Sequence, residues 1–187
     1  MKKWLFNPFI YIAGTRSLII GLAIMIVTAC VCFFSHTHFN GLLQEQFHAA
    51  PVWSYFLDAF IDWSIPVIIF YAAGSIFSKS SIRFIDVAGT FAMARWVMIF
   101  VAFTGFGIHM ADVETTSIDE VVKSITPTAV LLMFLGLICM AWMIALMYNA
   151  FVISCNIKRG NAAGIFIVCL LITEILSRTI LYFSHHL

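Results

Sequence analysis

The chain has 187 residues, 63% of them hydrophobic and only 10% charged, with a formal net charge of +1. Ordinary soluble domains run nearer to half apolar and about a quarter charged, so composition excludes a soluble globular protein and points to one embedded in a bilayer. Near-neutral charge, with no basic stretch longer than two residues, argues against a nucleic-acid partner.

Met1-Lys2-Lys3 ahead of an apolar run imitates a cleaved signal. The run continues through Phe34 with no small-x-small site after it, which predicts a retained helix. Asn7-Pro8 opens a turn of helix bearing Trp4, Phe6, Phe9 and Ile12. With Lys2 and Lys3 beside it, this predicts an interfacial segment over 1–16. Five windows, about 17–34, 55–77, 85–106, 128–150 and 163–183, are each apolar over the roughly 20 residues that a crossing takes. Thr126-Pro127 supplies an N-cap and a first-turn proline for the fourth. Ser117-Ile118-Asp119-Glu120 is a capping box ahead of Val121, Val122 and Ile125, and predicts a short amphipathic helix over 117–125. The fold class is therefore all-α: a polytopic, five-helix transmembrane bundle forming a single domain over 1–187.

Basic residues set the orientation. Lys2, Lys3 and Arg16 precede span one, Lys79 and Arg83 follow span two, and Lys158 and Arg159 follow span four. The other side carries Lys123 among Glu45, Asp112, Glu114, Asp119 and Glu120. The positive-inside rule then predicts a cytoplasmic N-terminus and a C-terminus outside. The five cysteines, Cys30, Cys32, Cys139, Cys155 and Cys169, fall in apolar runs without metal spacing and read as packing residues.

Asp58, Asp62, Arg95, Glu174 and Arg178 remain inside spans, with Asp86 at an edge. A charge at the bilayer centre costs about 2.5–3.5 kcal/mol on insertion scales. Within its own span Arg95 finds only Phe91, Ala92, Met98 and Ile99 at helical-neighbour positions. Ala88, Ala92, Arg95, Ile99 and Ala102 share one face, whose small residues permit close helix packing. The partner must come from elsewhere, and Glu174 and Asp62 lie at matching depth. Pro66 lacks an N–H, so the Asp62 carbonyl is also freed. Asp58 and Asp62 share a face, as do Glu174 and Arg178, which predicts spans two, three and five meeting around one intramembrane polar cluster. Three acids against two arginines require either a protonated acid or a wet cleft reaching Asp58. A structural ion-pair network is the expected role; a proton or ion site and a ligand site are the alternatives.

All six histidines (His36, His38, His48, His109, His185, His186) are expected on the outer side or its interface. His36 and His38 with His185 and His186 would form a metal site if the tail folded back. Histidines at span ends are ordinary interfacial residues, so the expectation is no metal and no cofactor. No GxSxG, HExxH or P-loop is present, and Asp58 and Asp62 lie on one helix rather than facing helices, so no enzyme is expected. Five spans do not divide into two equal inverted repeats, which disfavours a transporter. Gly105-Phe106-Gly107 reads as a helix end.

"NPF" with "IAG" before span one, "RFIDVAGTFAMAR" entering span three, and Tyr148-Asn149 to Cys155-Asn156 followed by Lys158-Arg159-Gly160 resemble the bacterial branch of the Yip family. These are five-span membrane proteins named for interaction with Ypt/Rab GTPases. The resemblance implies a bacterial inner-membrane location, a cytoplasmic N-terminus and a scaffold or interaction role. Its motif positions here are Asp86, Gly89, Thr90 and Arg95. Only about sixteen residues precede span one, which leaves a Rab-type GTPase out of the expected partners. The lipid bilayer, other membrane proteins or a second copy remain.

Overall fold

The structure, a computed structural model, describes residues 5–108, 126–157 and 159–185. Five helices are long and apolar enough to cross a membrane: α1 (Gly14–Ser35), α2 (Val52–Phe77), α3 (Phe84–Gly107), α4 (Pro127–Ser154) and α5 (Arg159–His185). Each matches an expected span to within about a helical turn. Thr126 caps α4 by accepting from the Ala129 N–H at 3.1 Å.

The bundle is built around α3. Its apolar window is 78% buried, against 28–39% for the others. Small side chains make this possible. A Cβ at Gly21 of α1 would stand 2.6 Å from the Ala92 backbone, and one at Gly89 would stand 2.7 Å from the Gly14 carbonyl. The Ser17 hydroxyl donates to the Gly89 carbonyl at 2.8 Å. On the α3 face of small residues, Ala88, Ala92, Arg95 and Ala102 are buried and Ile99 half-buried. Away from this contact, Phe70, Phe91, Phe151 and Phe166 join α2, α3, α4 and α5 around one aromatic centre. The Trp63 indole N–H donates to the Ala88 carbonyl at 3.0 Å.

The α3 helix is not uniform. It tightens to a 3-10 turn at Arg95–Val97, resumes over Met98–Thr104, and ends in a second 3-10 turn at Gly105–Gly107. A Cβ at Gly105 would collide with the Thr37 hydroxyl and the Ser35 carbonyl, so the glycine lets this end of α3 touch the exit of α1.

The main departure from the expected all-helical chain lies between α1 and α2. α1 stops at His36, whose φ of 53° is left-handed. The chain then forms an antiparallel hairpin of β1 (Thr37–Phe39) and β2 (Glu45–Phe47), with Phe39 opposite Glu45. Asn40 N–H donates to the Gln44 carbonyl at 3.0 Å, closing the tip. The hairpin runs back into the bundle: Phe39 and Leu42 are buried, and Gly41 lies against Glu174 of α5. Glu174 is eleven residues from the α5 terminus His185, or about 16 Å at 1.5 Å per residue. The loop is re-entrant.

At the opposite end, the segment expected at the interface is tied to α4. Phe9 is buried, Trp142 donates its indole N–H to the Leu5 carbonyl at 3.0 Å, and Asn149 donates to the Phe6 carbonyl at 2.8 Å. The helix expected over 117–125 lies outside the described residues.

Backbone contact at Gly21 makes a sharp test. Gly21→Val is expected to lower unfolding free energy in mixed micelles by about 1–3 kcal/mol or more. Gly164→Ala, where an added Cβ meets nothing within 4 Å, should stay within about 0.5 kcal/mol. Equal effects would contradict the α1–α3 packing.

Candidate functional site

Arg95 lies where α3 tightens, 5% exposed and facing α2. One guanidinium nitrogen donates to the Asp62 backbone carbonyl at 2.9 Å, and the other reaches Asp62 Oδ2 at 3.4 Å. The carbonyl is available because Pro66, inside α2, has no N–H to offer it. A single residue thus supplies both acceptors. The second carboxylate oxygen, Asp62 Oδ1, is buried with no hydrogen-bond partner among the described residues.

Asp58, one turn along α2, bonds to the hairpin instead. Its Oδ2 lies 2.7 Å from His38 Nδ1, with both side chains buried. The imidazole is sandwiched between the rings of Tyr55, at 3.9 Å, and His48, at 4.4 Å. The expected interfacial position of His38 is therefore corrected: the fold-back of β1 carries it inward to an acid.

Glu174 corrects a second expectation. Its Oε2 accepts from the backbone N–H groups of Leu42, at 2.9 Å, and Leu43, at 3.2 Å. Among the described residues the ion-pair partner of Arg95 is Asp62, and Glu174 serves the hairpin tip. Gly41, with φ of 118°, leaves room for that carboxylate, since a Cβ there would stand 3.0 Å from Glu174 Oε1. Arg178 is not buried in the cluster; it is exposed, with its stem against Gly41. Thr173 and Ser177 are fully buried on α5, and their hydroxyls have no partner among the described residues.

The surplus of acid is met at the hairpin and not by an arginine. Asp58 has an imidazole and Glu174 has two amides, so neither draws on an arginine. Leu42, Leu43 and Glu45 are the residues missed, and His38, expected only as an interfacial residue or conditional metal ligand, partners an acid. The available signal was the imbalance itself, three acids against two arginines. Glu45 sits on β2 against α4, its Oε1 3.1 Å from where a Cβ on Gly136 would stand, and its Oε2 is buried without a partner among the described residues. Burial pushes its carboxyl up to about 7.

The resemblance positions gather elsewhere. Asp86 lies in the first turn of α3, 3.3 Å from where a Cβ on Gly14 would be. Thr90 donates to the Asp86 carbonyl at 2.8 Å, and Gly89 packs on Gly14. Asp86 and Gly89 therefore form part of the seat of α1 on α3, Thr90 is bonded within α3, and Arg95, the fourth, belongs to the buried cluster.

A cavity of about 20 Å³ adjoins Arg95, lined also by Thr28, Cys32, Phe39, Tyr55 and Met98. It has room for about one water. Among the described residues no group of three or more His, Cys, Asp or Glu side chains is placed to hold a metal. His36 is exposed whereas its neighbour His38 is committed to Asp58. His186 and the side chain of His185 lie outside the described residues.

Breaking the central pair from one side leaves a buried charge or carbonyl without its partner. Arg95→Leu is expected to cost about 3–5 kcal/mol in micelle unfolding. Asp62→Asn keeps the backbone carbonyl contact and should cost less, and Arg178→Leu should cost under about 1 kcal/mol. A ranking with Arg178 first would contradict the geometry. Set beside family models, curated proteins and solved structures, the chain matches none of the three.

Proposed function

We propose that this protein is a non-enzymatic scaffold of a bacterial inner membrane, acting on membrane organisation or on other membrane proteins, with its N-terminus in the cytoplasm. One observation carries the reading. The buried charged side chains Asp58, Asp62 and Arg95 and the half-buried Glu174 are each bonded across elements, to the hairpin or between α2 and α3. They serve as internal fastenings, and the cavity beside them has room for about one water. Asp58 and Asp62 face different partners, so they do not converge on one substrate. The orientation is supported by the basic residues Arg16, Lys79, Arg83, Lys158 and Arg159. The Yip-like role is supported by the sequence resemblance.

A second reading, proton- or ion-coupled transport, is favoured by one specific feature. Asp62 Oδ1, Thr173 Oγ1 and Ser177 Oγ are buried and unpartnered among the described residues, and they lie on α2 and α5. Intramembrane polar groups of that kind mark proton and ion paths in other proteins.

The two readings separate in proteoliposomes. A scaffold is expected to leave proton and potassium permeability at the level of empty vesicles under an imposed potential. Photo-reactive groups at Ile68, Ile138 or Ile175, exposed on the bundle, should then give discrete protein adducts in native membranes. Flux abolished by Asp62→Asn would overturn the scaffold reading, and so would adducts with lipid alone.

A further inference from the structure

The re-entrant hairpin is held on three sides, and the three fastenings differ chemically. His38 meets the carboxylate of Asp58 on α2, and the tip amides meet Glu174 on α5. The third contact, on α4, is Glu45 against Gly136. Gly136 is nine residues inside α4 from its start at Pro127, about 14 Å along the helix. The absence of a side chain there makes the space that the carboxyl fills, since a Cβ would stand 3.1 and 3.4 Å from its two oxygens.

No cation answers this carboxyl among the described residues. The titratable group facing it from α4 is Cys139, which lies within electrostatic reach. From α5 the hairpin meets Glu174 and Arg178, both at Gly41, where Glu174 is taken up by the tip amides. From α2 it meets Asp58, bonded to His38 on the other strand, with His48 stacked behind. Cross-strand from Glu45 stands Phe39. An ionised carboxylate with a buried, unpartnered oxygen at this depth is costly, whereas a neutral carboxyl is tolerated.

We propose that Glu45 is a proton-binding site, and that its occupancy decides whether the hairpin lies inside the bundle or lifts out of it. Protonated, the carboxyl sits against Gly136 and the hairpin stays docked. Ionised, it is drawn to water, and the strain falls on the whole two-stranded unit, because β2 cannot leave without β1. The elevated Glu45 carboxyl, about 7 against an ordinary value of 4.5, agrees in sign. Docking takes up a proton, so the docked form is most favoured below the ordinary value, weakens as pH rises towards about 7, and levels off above. This goes beyond the scaffold reading and does not depend on it.

Leu42→Cys, buried in the docked hairpin, reports the change in full-length protein whose five native cysteines are replaced by alanine. A membrane-impermeant maleimide is the probe, with rates corrected for thiolate fraction. The expected corrected rate rises up to about tenfold per pH unit between about pH 5 and 7, then flattens. With Glu45→Gln, a permanently neutral mimic, labelling stays slow throughout. Labelling that ignores pH, or a pH response that survives Glu45→Gln and so belongs to His38, overturns the proposal. A second readout avoids dependence on that variant's folding. Infrared difference spectra of the otherwise unmodified chain between about pH 6 and 8 should show loss of a protonated-carboxyl band, and Glu45→Asp should shift it. No such band, or one unmoved by Glu45→Asp, also overturns the proposal.

Discussion

A guanidinium buried among helices needs several acceptors, and here one residue presents two of them. Arg95 takes both the carbonyl and the carboxylate of Asp62. The carbonyl is free only because Pro66 withholds an N–H from the α2 ladder. A helix defect and a buried charge, each destabilising alone, thereby cancel across the α2–α3 contact. The 3-10 turn at Arg95–Val97 lies at the same level, so the chain departs from ideal helix geometry on both sides of the pair. Helices in lipid gain little from the hydrophobic effect when they associate. Such a directional contact is what sets their mutual depth and rotation.

The hairpin depends on that frame. Non-helical backbone at membrane depth persists only where protein satisfies its polar groups. The ladder between β1 and β2 takes care of part of the need, and Glu174 accepts two of the tip amides. Charge assistance strengthens those bonds. His38 adds a side-chain anchor on Asp58, held flat between two rings. The carboxylates of α2 and α5 are thus divided between holding α3 and holding the hairpin.

The start of α1 packs closely on the start of α3. The "IAG" stretch contributes Gly14 to the start of α1, and "RFIDVAGT" contributes Asp86 and Gly89 to the start of α3. These segments lie against one another, with Ser17 donating to Gly89. Close backbone approach accounts for the small residues at these positions.

Five helices, their ends to about a turn, the inward face of α3 and the acceptor freed by Pro66 were all legible in the residues. Each follows from local rules: apolar length, helical spacing and the missing proline N–H. The destination of Glu174, the burial of His38 and the exposure of Arg178 were decided only by tertiary structure. All three turn on eleven residues between α1 and α2 that form a re-entrant hairpin. Strands of three residues carry too little periodicity to announce themselves, and a polar stretch between two spans reads as a wet loop. Whether such a loop stays in water or folds inward is set by amide acceptors waiting on distant helices. That is a matter of contact between residues over a hundred positions apart, which no local pattern encodes.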